Sequence, residues 1–142
     1  MAFDFKMPIG TPIHAAADGR VVLIVERFKD NVDRAFKQAN YVVIKHDGGF
    51  ISHYAHLTFQ GVHVQVNDIV SRGDLIAYSG NTGQSDYPHL HFFVQKLADD
   101  CFNPETRTSR LGRCPQVPIA FFNADPADTI LREGTVYTAL PY

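Results

Sequence analysis

The sequence has 142 residues, with 13 basic and 15 acidic side chains and a formal net charge of −2. At about 100–150 residues per domain this is one compact domain, expected over residues 1–142 and long enough to bury its own core. The absence of a Lys/Arg cluster leaves no electrostatic footprint for a nucleic-acid backbone, and no block of like charge marks a membrane-surface arm. The longest apolar run, residues 21–25, falls far short of the roughly 18 residues that would cross a bilayer, so no membrane span is expected.

Met1 is followed at once by Ala2, Phe3, Asp4 and Phe5, with no basic leader and no polar tail, so the sequence reads as starting inside a structured segment. Turn residues Pro8, Gly10 and Pro12 lead to a second turn at Asp18-Gly19 and then to the β-rich run at residues 21–25. Residues 29–39 are polar without strand alternation and read as an insertion loop with room for one helical turn. Residues 41–45 (YVVIK), a tight turn at Asp47-Gly48-Gly49 and residues 50–57 (FISHYAHL) read as an antiparallel hairpin. Strands are expected again at residues 62–66 (VHVQV), 75–79 and 89–96 (HLHFFVQK), with a glycine loop at residues 80–83. Beyond residue 97 five prolines break up the chain. Residues 117–123 and 134–138 are strand candidates there, and Phe121, Phe122 and Tyr137 are candidates to pack on the sheet. Short strands at this spacing predict an all-β fold, a small antiparallel sandwich or half-barrel with a loop-rich C-terminal third.

The two cysteines, Cys101 and Cys114, flank a polar loop of twelve residues. A bridge between them would stabilise the fold by about 3 kcal/mol through loop closure and would imply an oxidising compartment. The alternative is two thiols in a reducing one.

Seven histidines offer chemistry. In a strand, His89 and His91 share a face about 6.6 Å apart, while Leu90, Phe92 and Val94 supply the packing face. Such a pair is either a metal or catalytic pair, or two exposed histidines on an edge. Parity in residues 50–57 groups Ser52, Tyr54 and His56 against Ile51, His53 and Ala55, so a regular strand cannot bring His53 and His56 to one site. His53 reads as structural or surface, and His14, His46 and His63 as ordinary turn or strand residues. Asp4 lies within an apolar run, where a buried carboxylate would need a partner or a cation. The alternative is an exposed strand end.

Three segments, AFDFKMPIGTPIHAAADGRVV, NYVVIKHDGGFISHYAHL and VNDIVSRGDLIAYSGNTGQSDYPHLHFFV, occur in order over residues 2–94 and closely resemble the lysostaphin and LytM type of zinc metallopeptidase. The resemblance implies a sheet fold of the duplicated-hybrid-motif type, a Zn2+ cofactor and a peptidoglycan peptide as substrate. It also implies a periplasmic or extracellular location. Asp4 falls at the family's aspartate ligand and His91 at its last histidine ligand. His56 and His89 correspond to the two histidines that the family places beside the metal as catalytic residues. The family's remaining histidine ligand precedes the aspartate, commonly by four residues, and only three residues precede Asp4. The expectation is therefore that this ligand lies upstream of an N-terminally truncated chain. The wall of the groove would be the loop at residues 80–88, with Asn81 and Tyr87 as peptide contacts.

Two competing readings are a non-catalytic LytM-like regulatory domain, which binds a cell-wall hydrolase or peptidoglycan, and a carrier or phosphocarrier domain with a similar β-hammerhead. The second leaves Asp4 and the Tyr-Ala-His-Leu segment unexplained, and no lysine sits at a hairpin tip to carry a cofactor.

Overall fold

Runs rich in valine, isoleucine and aromatic residues, cut by Gly, Pro and Asx turns, form antiparallel strands. The computed structural model describes residues 2–32, 38–97, 102–103, 108–109, 114–121, 124–125 and 138–139. The principal strands are β1 (Ala2–Lys6), β2 (Pro12–His14), β3 (Gly19–Val25), β4 (Tyr41–His46), β5 (Phe50–Ala55), β6 (Leu57–Val62), β7 (Ile69–Val70), β8 (Leu75–Ser79) and β9 (His89–Lys96). They make a six-stranded sheet in the order β1-β9-β5-β4-β3-β7 and a three-stranded sheet in the order β2-β8-β6. Every pairing is antiparallel, as the all-β reading expects. Two short antiparallel strand pairs, Phe102–Asn103 with Thr108–Ser109 and Ala124–Asp125 with Thr138–Ala139, are described in the C-terminal third.

Both faces of the large sheet bury apolar side chains. Between the sheets, Val42, Ile44, Tyr54, Leu90 and Phe92 meet Ile13, Leu57, Ile76 and Ala77, with Phe5 and Phe121 packed at the edge. On the other face a smaller cluster joins Val22, Val43, Ile51 and Cys114. Cys114 is disulfide-bonded. Cys101, the partner expected for it, lies outside the described residues.

The hairpin between β4 and β5 closes through one 3-10 turn, Asp47–Gly49. Gly48 and Gly49 there have φ of 72° and 75°, a conformation that glycine adopts without a Cβ penalty.

Three expected strands differ from the observed ones. The strand expected through residue 57 stops at Ala55, because His56 turns into a left-handed conformation with φ 61°. The strand expected at residues 62–66 is instead β6, which ends at Val62. Residues 65–68 are consumed in a turn, in which Gln65 N donates to Asp68 Oδ2 and Asp68 N to the Gln65 carbonyl. Residues 117–121 are irregular; after Val117 N bonds the Val94 carbonyl the segment leaves the sheet edge to pack Ile119 and Phe121 on the core. Phe122, Tyr137, residues 33–37 of the insertion loop and residues 134–137 lie outside the described residues.

Ile44 is fully buried between the sheets, whereas Ile69 is 67% exposed. Ile44→Ala is expected to lower unfolding free energy by about 2–5 kcal/mol and Ile69→Ala to change it by no more than about 0.5 kcal/mol. Urea unfolding of both variants checks this, and a similar small loss in both would contradict the core assignment.

Candidate metal and catalytic site

Antiparallel pairing of β1 with β9 sets Asp4 opposite His91 and Lys6 opposite His89. Cross-strand neighbours share a face. Phe3 and Phe5 therefore turn inward, where both rings meet Phe121 edge-on, and Asp4 turns outward. Its side chain is 49% exposed. The carboxylate is not buried in its apolar run; it is paired, with His91 Nδ1 donating to Asp4 Oδ1 at 2.6 Å. His89 Nε2 stands 3.6 Å from the same oxygen.

His56 reaches this face by leaving the strand. β5 belongs to the large sheet and β6 to the small one, so residue 56 is where the chain passes from one sheet to the other. Regular parity would send its ring to the side of Tyr54. The left-handed turn brings it instead beside His89 and His91, with ring centroids 4.6 and 5.8 Å away.

A second passage between sheets, from β8 to β9, supplies the rest. Gly80 bridges to His89, and the loop that follows turns its carbonyls toward the rings. His56 Nδ1 donates to the Thr82 carbonyl at 2.6 Å. His89 Nδ1 lies 2.8 Å from the Tyr87 carbonyl and 3.1 Å from Ser85 Oγ. A carbonyl only accepts, so each ring carries a proton on Nδ1, and the neutral form of either ring leaves Nε2 bare. Glycine is required at position 80 because a Cβ would stand 2.5 Å from Asp30 Oδ1 and 2.6 Å from the Leu57 carbonyl carbon.

Ring nitrogens of His56, His89 and His91 lie within 4.8 Å of one another. Three imidazoles and a carboxylate are nitrogen and oxygen donors of the kind that Zn2+ takes in catalytic sites, so the residues present fit that ion. Two ligand selections are open to such a group: the three rings, or Asp4 with His91. In the second, Asp4 Oδ1 and His91 Nδ1 face each other at 2.6 Å.

Burial lowers the pKa of His56 below the usual imidazole value, and the His89 and His91 rings push it the same way against the Thr82 carbonyl and Asp4. These surroundings favour the neutral form of the His56 ring. His53, on the same face, is 4% exposed and stacks on Phe93 at 4.3 Å. Burial takes its pKa down to about 4.

The other expected residues separate cleanly. His14 bonds the Gly73 carbonyl, His46 spans the Asp18 carbonyl and Ser52 Oγ, and His63 packs edge-on against Tyr78. Tyr87, expected as a peptide contact, is exposed beside His89. Asn81 is not: its side chain is buried and donates to Asn31 Oδ1, which ties the loop down. The sequence reading missed the carbonyls of Thr82 and Tyr87, since a backbone acceptor has no side-chain signature. An apolar cavity of about 330 Å3, lined by Phe5, Tyr54, Leu90 and Phe92 among others, opens on the opposite face of β9 and touches none of the four site residues.

The pattern of peptidase family M23 matches residues 1–104, and the chain belongs to that family. It is 42% identical over 90 residues to the peptidoglycan DD-endopeptidase ShyA of Vibrio cholerae, covering 63% of this chain and 18% of ShyA. A zinc-containing peptidase from Vibrio cholerae superposes with a TM-score of 0.52 at 35% identity, over 64% of this chain and 25% of that one. The catalytic domain of lysostaphin from Staphylococcus simulans superposes with a TM-score of 0.52 at 28% identity, over 77% and 74% of the two chains. The chain spans about a quarter or less of the length of the curated relatives it matches.

His53 makes stability sensitive to acid. Its folded pKa lies below the unfolded value of about 6.5, so the unfolded state binds the proton first. No penalty applies above about pH 6.5; it grows as pH falls toward 4, reaching at most about 3 kcal/mol. His53→Gln is expected to lose less stability than the unsubstituted protein between pH 7 and pH 4.5 in denaturant titrations. Equal losses would contradict this.

Proposed function

We propose that the chain is the catalytic domain of a zinc-dependent endopeptidase that hydrolyses peptide bonds in the stems or crossbridges of peptidoglycan. The observation that carries this reading is the meeting of Asp4 and His91 across β1 and β9, beside two histidines whose Nδ1 atoms are anchored on backbone carbonyls. Asp4 and His91 act as zinc ligands in this chain. The names of ShyA and lysostaphin, a peptidoglycan DD-endopeptidase and an antimicrobial peptidase, support the substrate class and the activity.

Bound zinc supplies Lewis acidity, lowering the pKa of water and polarising a peptide carbonyl. The protein's own residues do the proton work. His56 and His89 stand 4.6 Å apart, each anchored by Nδ1 on a backbone carbonyl with Nε2 left free. One accepts the proton released by the attacking water and returns it to the leaving amine. The other, when protonated, donates to the oxygen on which negative charge develops. The lowered pKa of His56 keeps it ready to accept. Tyr87, exposed next to His89, offers a flat apolar contact to the peptide.

A peptidoglycan substrate implies a periplasmic or extracellular protein, and the disulfide at Cys114, with Cys101 as its proposed partner, accords with an oxidising compartment. No helix among the described residues is long and apolar enough to cross a membrane. A regulatory domain that binds peptidoglycan or a cell-wall hydrolase without cutting is the second reading.

Digestion of purified sacculi by the zinc-loaded full protein is expected to create new amino termini, read by mass spectrometry. Binding without new termini would favour the regulatory reading. His56→Ala is expected to retain zinc while turnover falls by about 10²–10⁴-fold. Loss of zinc in that variant would mean that His56 is a ligand instead.

A further inference from the structure

We infer that Asn40 and Thr82 form a clamp that positions His56, making them positioning residues for the reaction; the catalytic part of this inference rests on the function proposed above. His56 is held in a left-handed conformation, φ 61°, that non-glycine residues seldom adopt. Two contacts impose it. Leu57 N, the next backbone donor, bonds the Asn40 carbonyl at 3.2 Å. The ring itself bonds the Thr82 carbonyl. Asn40 and Thr82 are joined directly, because Asn40 N donates to Thr82 Oγ1 at 3.0 Å and Thr82 Oγ1 donates to the Leu57 carbonyl at 2.9 Å.

Asn40 fixes the frame around this triangle. Fully buried, it accepts from Phe28 N at 2.9 Å through Oδ1. Through Nδ2 it donates to the carbonyls of Phe28, Leu57 and Thr58 at 2.8, 3.2 and 3.2 Å. One amide therefore binds the turn at residue 28, the start of β6 and, through its backbone, the loop that carries Thr82. The backbone on the C-terminal side of His56 and the acceptor for its ring are set by the same pair of side chains. The consequence is chemical as well as geometric: the Thr82 carbonyl keeps the proton on Nδ1 and leaves Nε2 aimed at the site.

The test uses the zinc-loaded full protein with Thr82→Val, which removes the hydroxyl and keeps the shape, and Thr82→Ser, which restores it. Thr82→Val is expected to keep KM within about twofold and its zinc content, while kcat falls by about tenfold to a hundredfold; Thr82→Ser recovers most of that loss. Ring 15N spectra of the unsubstituted protein are expected to show His56 as the Nδ1–H tautomer, and those of Thr82→Val a mixture. An unchanged kcat with one tautomer in Thr82→Val, a rise in KM alone, or an Nε2–H tautomer in the unsubstituted protein would each overturn the inference. The tautomer measurement needs no turnover and no folded variant. A protein that cleaves nothing but shows Nδ1–H His56 would sink the proposed activity and leave the clamp standing.

Discussion

The pairing of β1 with β9 is the contact on which the site depends. It joins residues 87 positions apart in sequence and sets a carboxylate against an imidazole at 2.6 Å. A slip of one residue would carry Asp4 to the core face and bring Phe3 or Phe5 to the histidines. Register is held by the opposite face of the same strand, where Phe3 and Phe5 meet Phe121 and Phe5 joins the main core. Burial of aromatic surface on one side of a five-residue strand thus fixes polar geometry on the other.

The remaining groups arrive where the two sheets exchange strands. Regular strands hold their side chains to two faces, so a compact site fed from several directions needs places where parity is broken. His56 breaks it between β5 and β6, and Gly80 lets the chain pass close to Asp30 and Leu57 between β8 and β9. Asp30 ties that corner, accepting from Asn81 N at 2.6 Å, Thr58 Oγ1 at 2.6 Å and Phe59 N at 3.1 Å. The site is a corner between sheets, stiffened by buried hydrogen bonds, rather than an enclosed cavity.

Legibility in the sequence followed the same division. Strand alternation made the His89 and His91 pair and the inward Leu90 and Phe92 readable, because a two-residue period has one geometric meaning. The β4 and β5 hairpin announced itself through its glycines. Asp4 could be assigned only through resemblance to a family, since its partner is 87 residues away and no local pattern links them. The turn at His56 was invisible: no residue type there demands a positive φ, and the parity argument failed for that reason. Asn40 and Thr82 carried no signal of their own, as their side chains act on backbone groups of residues 28, 57 and 58 and on each other, which no local pattern links.

Zinc content of the full protein, by elemental analysis after gel filtration, tests the account most directly. With Asp4 and His91 as ligands, the unsubstituted protein should carry about one zinc per chain, and His91→Ala should fall to about the level of a zinc-free control. A His91→Ala protein that is folded and still fully loaded would contradict the pairing of Asp4 with His91 as the metal-binding element.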